Sequence, residues 1–330
     1  MNFRWGYFLK IIPMKTVNKT IVLVAIASVF LATCKKEEPE APTNPANPTG
    51  GGNPTTYSSL TDFFNHNGAQ SQFFTLDASA GGTFTGAKGT LFTFQSNSFA
   101  TQSGNPVSGT VNVELKEMLS KKDMLLSNRT TTSYSYPLIS GGEYYLNVTQ
   151  NNQQLKLASG VSYTAQLPST TVPLNGMQVF NGQLGSADNI TWNVADSIGN
   201  WIAQQTSPYS YVLTTDSMHW VNCDQFGNSS ATWTDISVSI TNIASMKNAK
   251  VYIYYDGMNS IFGFWTSSNP FSTNECWLGQ NVHIVAIGVD NSGNLYSSFT
   301  PLNVTANMNL NITLSQTTDV SLKSAINALP

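Results

Sequence analysis

Charge is what this sequence lacks. Of 330 residues only 15 are Lys or Arg and 18 are Asp or Glu, or 10%, against about 25% in an ordinary soluble domain. The shortage excludes a long charged coiled coil, which needs Glu, Lys and Ala in bulk. The net charge of −3 leaves no basic excess for phosphates, so nucleic acid is not an expected partner. Histidine and cysteine are scarcer still, three of each. They form no HExxH and no Cys pair with zinc-ligand spacing. GxSxG, P-loop and dinucleotide fingerprints are also missing. The sequence therefore gives no catalytic residue, no metal site and no cofactor. In place of charge stand 34 Asn, 37 Ser and 36 Thr, beside 41% apolar and 11% aromatic residues. That much apolar content excludes a disordered chain. A polar, uncharged, aromatic-rich composition reads as a β-rich envelope or extracellular protein.

Long hydrophobic runs are also missing. The longest notable one, Ile21–Leu31, has 11 residues, too short to span a bilayer, which takes about 20. It has the length of a signal-peptide h-region, with Lys15 and Lys19 ahead of it. It ends in Leu31-Ala32-Thr33-Cys34, which resembles the lipobox of bacterial lipoproteins, with Thr33 where Gly, Ala or Ser is commoner. The resemblance implies cleavage before Cys34 and acylation of its thiol. Several acyl chains then give a stable membrane anchor, where one chain does not. Residues 1–13 do not look like a signal start, and Met14 gives a compact 20-residue signal peptide. The expected compartment is the bacterial outer membrane, on its periplasmic or cell-surface face. Lys35-Lys36-Glu37-Glu38-Pro39-Glu40 resembles the surface-export signal of some envelope lipoproteins, and equally reads as the solvated start of a linker. Residues 39–56 hold five of the 14 Pro and the run Gly50-Gly51-Gly52, a composition that makes a tether rather than a core. Removing residues 1–33 takes four basic groups and no acidic one, which leaves 11 basic against 18 acidic and a net charge of −7.

Beyond residue 56 the pattern is alternation. Val111-Asn112-Val113-Glu114-Leu115 puts its apolar residues on one strand face. Similar runs fall at 144–148, 161–167, 177–180, 236–240, 251–255, 282–289 and 310–314, with turn signals such as Ser140-Gly141-Gly142 and Asn151-Asn152 between them. Tyr144–Val148 and Gln154–Leu157 read as one hairpin. Helix is expected at Leu60–Asn65, capped by Ser58 or Ser59, and at Thr318–Leu329, capped by Thr317 or Thr318, with Leu322, Ile326 and Leu329 on one face. The fold class is all-β, two antiparallel β-sandwich domains in tandem with a short C-terminal helix. The expected divisions are signal peptide 1–33, lipidated Cys and linker 34–56, first sandwich 57–200 and second sandwich 209–330. The seam is placed in 196–208, which lacks alternation.

Several residues carry a family resemblance. These are Gln72-x-Phe74-x-Leu76-Asp77, Gly86-x-x-Gly89-Thr90-Leu91-x-x-Phe94, Gly104-x-x-Val107-x-Gly109-x-Val111, Leu115-x-Glu117, Gly141-Gly142, Met177-x-x-Phe180-x-Gly182 and Trp192. Residues 72–192 thereby resemble a ZU5-like β-sandwich module of bacterial envelope proteins. Trp220-Val221-Asn222-Cys223-Asp224-x-Phe226 is similar to a stretch in the same architecture. The resemblance implies two β domains and no reaction. The His-Phe-Ser self-cleavage tripeptide of some ZU5 modules does not occur.

With Cys34 acylated, Cys223 and Cys276 remain. In an oxidising compartment they are a candidate disulfide; two separate buried thiols is the preferred reading, since the resemblance gives Cys223 no partner. His219 shares six residues with Cys223 and Asp224, but alternation puts Asp224 on the opposite strand face from both. His66 and His283 stand alone. Asp290-Asn291-Ser292-Gly293-Asn294 looks like half a calcium loop without its Glu, and a hairpin turn accounts for it. Six of the seven Trp lie between 192 and 277. Phe264, Trp265 and Phe271 flank a polar loop and are the candidate ligand platform, although rings in a sandwich mostly fill its core. The expected function is a lipid-anchored, non-catalytic binding or scaffolding module for a glycan or another envelope protein. Paired carboxylates are set by space rather than spacing, so a hydrolase stands as the alternative, and a structural spacer as the third.

Overall fold

A computed structural model describes residues 56–185, 188–196, 198–227, 231–264 and 268–330. The expected signal peptide, Cys34, nearly all of the linker and Trp265 lie outside these residues. Helix α1 (Leu60–Asn67) leads into strands β1 (Gln72–Asp77), β2 (Gly82–Thr85), β3 (Leu91–Phe94), β4 (Phe99–Thr101) and β5 (Thr110–Met118). Helix α2 (Lys121–Leu126) precedes β6 (Thr132–Ser133), β7 (Tyr136–Gln150), β8 (Gln153–Leu157), β9 (Tyr163–Pro168), β10 (Gln178–Leu184) and β11 (Ile190–Val194). Then come β12 (Trp201–Thr206), β13 (Tyr209–Thr215), β14 (His219–Phe226), β15 (Trp233–Ile240), β16 (Met246–Tyr255) and β17 (Ile261–Gly263). The chain ends with β18 (Phe271–Trp277), β19 (Asn281–Asp290), β20 (Leu295–Asn303), β21 (Met308–Ile312), β22 (Ser315–Thr317) and α3 (Asp319–Ala328).

The fold is all-β. In the first sandwich one sheet runs β1-β5-β7-β14-β10-β11, and the other runs β12-β13-β9-β3-β2. Between them the inward residues of the alternating strands meet. Val111, Val113 and Leu115 of β5 and Tyr144, Leu146 and Val148 of β7 pack on Phe92, Phe94, Tyr163 and Leu213. The second sandwich faces β18-β15-β21 against β17-β16-β19-β20-β22. All pairings are antiparallel except that of β15 with β21, which is parallel. Asn151 and Asn152 have φ of 51° and 61° and turn β7 into β8, as the hairpin reading requires.

The passage between the two sandwiches falls after β14. β13 pairs with β9, and β14 lies between β7 and β10, all in the first sandwich. A division at 200–209 would therefore cut through sheets; the change of sheets comes between Phe226 and Trp233. Segment 196–208 lacks alternation because β12 is an edge strand, partly wet on both faces.

β16 and β19 are buried on both faces. Val251, Ile253 and Tyr255 fill the second sandwich, while Tyr252 and Tyr254 point outward onto the three helices. Such strands read as continuous apolar runs. Outside this sheet, α1 supplies Leu60, Phe63 and Phe64, α2 supplies Met124 and Leu125, and α3 supplies Leu322 and Ile326, with Leu329 beyond it. Ser59 caps α1 and Thr318 caps α3 with side-chain oxygens, as expected from sequence. Although α1 precedes the first sandwich in sequence, it covers the second. Tyr57 Oη donates to Asp319 Oδ1 at 2.7 Å, tying the start of the described chain to α3.

Candidate functional site

Two constellations stand out: a buried carboxyl pair and an open cleft. The pair begins with a bulge. Along β7 and β14, Glu143 pairs with Asn222 and Ser140 with Asp224, so β7 has one extra residue at Gly141-Gly142. A Cβ on Gly141 would stand 2.7 Å from the Tyr211 ring and 2.9 Å from the Cys223 sulfur, and Gly142 has φ of +124°. Only glycine fits this bulge. The extra residue turns Ser140 and Glu143 to the same side of the sheet. There Ser140 Oγ donates to Asn222 Oδ1 at 2.8 Å. Asn222 Nδ2 donates to Asp224 Oδ2 at 2.7 Å and to Glu143 Oε2 at 3.3 Å.

Both carboxyls are fully buried. Burial, then repulsion from Asp224, hold the Glu143 carboxyl well above the usual range, and Arg129 pulls it partly back. Burial raises Asp224 likewise, against the hydrogen bond from Ser140. The loop between β16 and β17 closes the site. Asn259 donates its side-chain amide to the Ser140 carbonyl at 2.9 Å, and its own carbonyl accepts from the Ser140 amide at 2.9 Å. Ser140 thus joins the two sandwiches, and the carboxyl pair beside it does not open to solvent.

The cleft, of about 520 Å³, lies between the same two bodies. One wall is the β10–β11 hairpin, with Gln183, Asn189 and Thr191. The other is the start of β16 with the end of β17, including Asn248, Lys250 and Phe264, and Thr130 and Thr132 form the floor. At the back, Asn128 Oδ1 accepts from Lys250 Nζ at 2.9 Å and from Tyr252 Oη at 2.8 Å. Lys250 Nζ also donates to Asn189 Oδ1 at 3.0 Å. Burial lowers the Lys250 ammonium to about 8. Behind it Arg129 holds Asp188 through two nitrogens at 3.2 Å, and its guanidinium lies 4.5 Å over the Trp220 ring. Tyr134 stands at the mouth, 69% exposed, with φ of +51° and its amide fixed to Thr191 Oγ1 at 2.9 Å. A non-glycine residue in this region is an outlier of the kind that marks functional sites.

Phe264 and Phe271 both reach this cleft, so the structure brings these two platform candidates to one place. Their surroundings differ. Phe264 is half-buried, whereas Phe271 is 3% exposed and belongs to the second core, where a ring buries most area. Cys223 and Cys276 are free thiols in separate cores, so the candidate disulfide does not form. Cys276 meets Tyr255 Oη at 3.4 Å, and burial pushes its thiol up to about 11.

The histidines stay apart: His66 is exposed on α1, His219 meets the Gln154 side chain, and His283 Nδ1 meets Asp256 Oδ1 at 2.9 Å. Asp290 accepts from the Ser292 and Asn294 amides, both at 2.8 Å, and so makes the β19–β20 turn. Among the described residues no three His, Cys, Asp or Glu side chains come within reach of one metal ion.

The sequence reading missed Glu143, Lys250 and Tyr134. Glu143 directly follows the Gly141-Gly142 signal, but the parity change a bulge imposes is invisible without the partner strand. No family model matches the chain, and no curated protein does.

Proposed function

We propose that this chain is a lipid-anchored, non-catalytic binding module of a bacterial outer membrane that takes a saccharide in the cleft between its two sandwiches. The anchor rests on the lipobox-like Leu31-Ala32-Thr33-Cys34 and on the Pro/Gly-rich stretch after it. The lining of the cleft carries the binding half. It joins the Tyr134 and Phe264 rings to the side-chain amides of Gln183, Asn189 and Asn248 and the hydroxyls of Thr132 and Thr191. Rings with adjacent neutral donors and acceptors match the apolar faces and hydroxyl edges of a sugar. A hydrolase would need its acid and base facing the substrate; the carboxyls of Glu143 and Asp224 converge, but they are sealed away.

Fractionation tests the anchor: wild type partitions with membranes and Cys34→Ala does not. A glycan array with purified protein tests the ligand. Binding that is lost in Phe264→Ala at unchanged melting temperature supports the reading; an array with no bound glycan sinks it.

A further inference from the structure

Asn128 sits at the back of the cleft, 4% exposed. Its Oδ1 accepts from Lys250 Nζ at 2.9 Å and from Tyr252 Oη at 2.8 Å. Its Nδ2 donates to the Asp188 carbonyl at 3.0 Å and faces Asp188 Oδ2 at 3.5 Å. An amine, a carboxamide, a hydroxyl on the carboxamide oxygen and a carboxylate beside its nitrogen thus meet at one place. They come from distant parts of the chain: Lys250 and Tyr252 from β16, Asn128 from the end of α2 and Asp188 from the β10–β11 turn. Asn128 Cγ lies one carbonyl bond, about 1.2 Å, beyond Oδ1, so Nζ is within about 4 Å of it.

From this juxtaposition we propose that Lys250 and Asn128 become joined by an isopeptide bond that the folded chain forms by itself. The proposal does not depend on the saccharide reading. Nζ, as the neutral amine, attacks Asn128 Cγ. The new C–N bond pushes the carbonyl electron pair onto Oδ1, where the Tyr252 hydroxyl holds the developing charge. Burial raises the titration of that hydroxyl, so it stays a donor. Nζ then sheds a proton, Asp188 carries it to Nδ2, and the Cγ–Nδ2 bond breaks. Ammonia leaves and one amide replaces another, so the step needs no oxidant, reductant or co-reactant. Burial lowers the Lys250 ammonium to about 8, with Asp188 opposing the shift and Arg129 adding to it. About one amine in ten is then neutral at pH 7. Fixing amine and amide side by side supplies the rest, since well-aligned intramolecular pairs reach effective concentrations of about 10⁵–10⁸ M. Asn189 Oδ1 also lies 3.0 Å from Nζ, but that residue is exposed and water competes there with the amine. The bond would tie residues 122 apart in sequence and fix the back of the cleft.

The test is tandem mass spectrometry of the purified full chain, denatured and digested with trypsin, for wild type and Lys250→Arg. Wild type is expected to give, in most of its molecules, a branched peptide joining the Asn128 and Lys250 segments. That peptide should be one ammonia lighter than its two parts and uncut after Lys250. Lys250→Arg keeps a positive charge but brings no nucleophile, so its Asn128 peptide should be linear. If Lys250→Arg does not fold, the wild-type digest decides by itself. Linear peptides from wild type overturn the proposal. A branch at Asn189 overturns it too, as does an ammonia loss at Asn128 that persists in Lys250→Arg and so marks a succinimide.

Discussion

Asn222 donates its side-chain amide to Asp224 Oδ2 at 2.7 Å, two residues along the same strand, and the same nitrogen reaches Glu143 Oε2 on the neighbouring strand at 3.3 Å. One amide thus holds two fully buried carboxyls, and both titrate above their usual range. This sets how stability depends on pH. Unfolded, the two groups release protons near pH 4. Below that, both states carry the protons and the contribution to stability is complete. As pH rises, the unfolded chain ionises first and gains, until the folded carboxyls ionise too. The melting temperature should therefore fall as pH is raised from about 5 to 8. Glu143→Gln, neutral at every pH, should flatten that slope. Scanning calorimetry across the range checks it; parallel slopes for wild type and variant would remove the carboxyl pair as the cause.

Tyr134 sits at φ of +51° with most of its ring in water. An L-residue in this region gives up about 1–2 kcal/mol that glycine does not. Tyr134→Gly should raise the melting temperature and weaken glycan binding together. A structural residue would lose both, so the opposite signs are diagnostic. Thermal melts and affinity measurements on the one variant decide between them.

Glu117 is 1% exposed and closes the turn between β2 and β3. Its carboxylate accepts from Gln72 Nε2 at 2.9 Å, the Lys88 amide at 3.0 Å and the Thr90 amide at 3.2 Å. Gly86 must lack a side chain here, because a Cβ would lie 2.3 Å from Glu117 Oε2. Glu117→Ala strands the buried Thr90 amide and frees two partly buried donors, and should destabilise by about 2 kcal/mol. Urea denaturation measures it, and a loss under about 1 kcal/mol would mean that water replaces the carboxylate.

Cys223 and Cys276 are both buried and belong to separate cores. Purified protein without the signal segment and Cys34 should show no reactive thiol while folded and two once denatured. Reductant should leave its melting temperature unchanged. A shift of several degrees on reduction would mean that a disulfide forms after all.

Much of the fold was legible. Alternation in Val111–Leu115 and the Asn151-Asn152 turn come from local geometry, because strand side chains alternate with period two and Asn tolerates positive φ. The caps at Ser59 and Thr318 are equally local. The site was less legible. Lys250 looks like any surface lysine until β16 is set against the β10–β11 hairpin, and Phe264 and Phe271 were chosen only for their place beside a polar loop.

The boundary between sandwiches shows where sequence stops. Residues 209–226 follow the stretch 196–208, which lacks alternation and reads as the seam between domains. Yet β13 and β14 return to the first sandwich, and β14 inserts between β7 and β10. Residues at 57–67, first in the described chain, cover the last sheet. By itself the sequence determined the all-β class, the places of α1 and α3 though not of α2, and the low charge, because these depend on short-range pattern and composition. Tertiary structure alone decided which strands became neighbours, since pairing is settled by distant residues. In doing so it buried Glu143 and Asp224 together between β7 and β14 and set Lys250 into the cleft between the sandwiches.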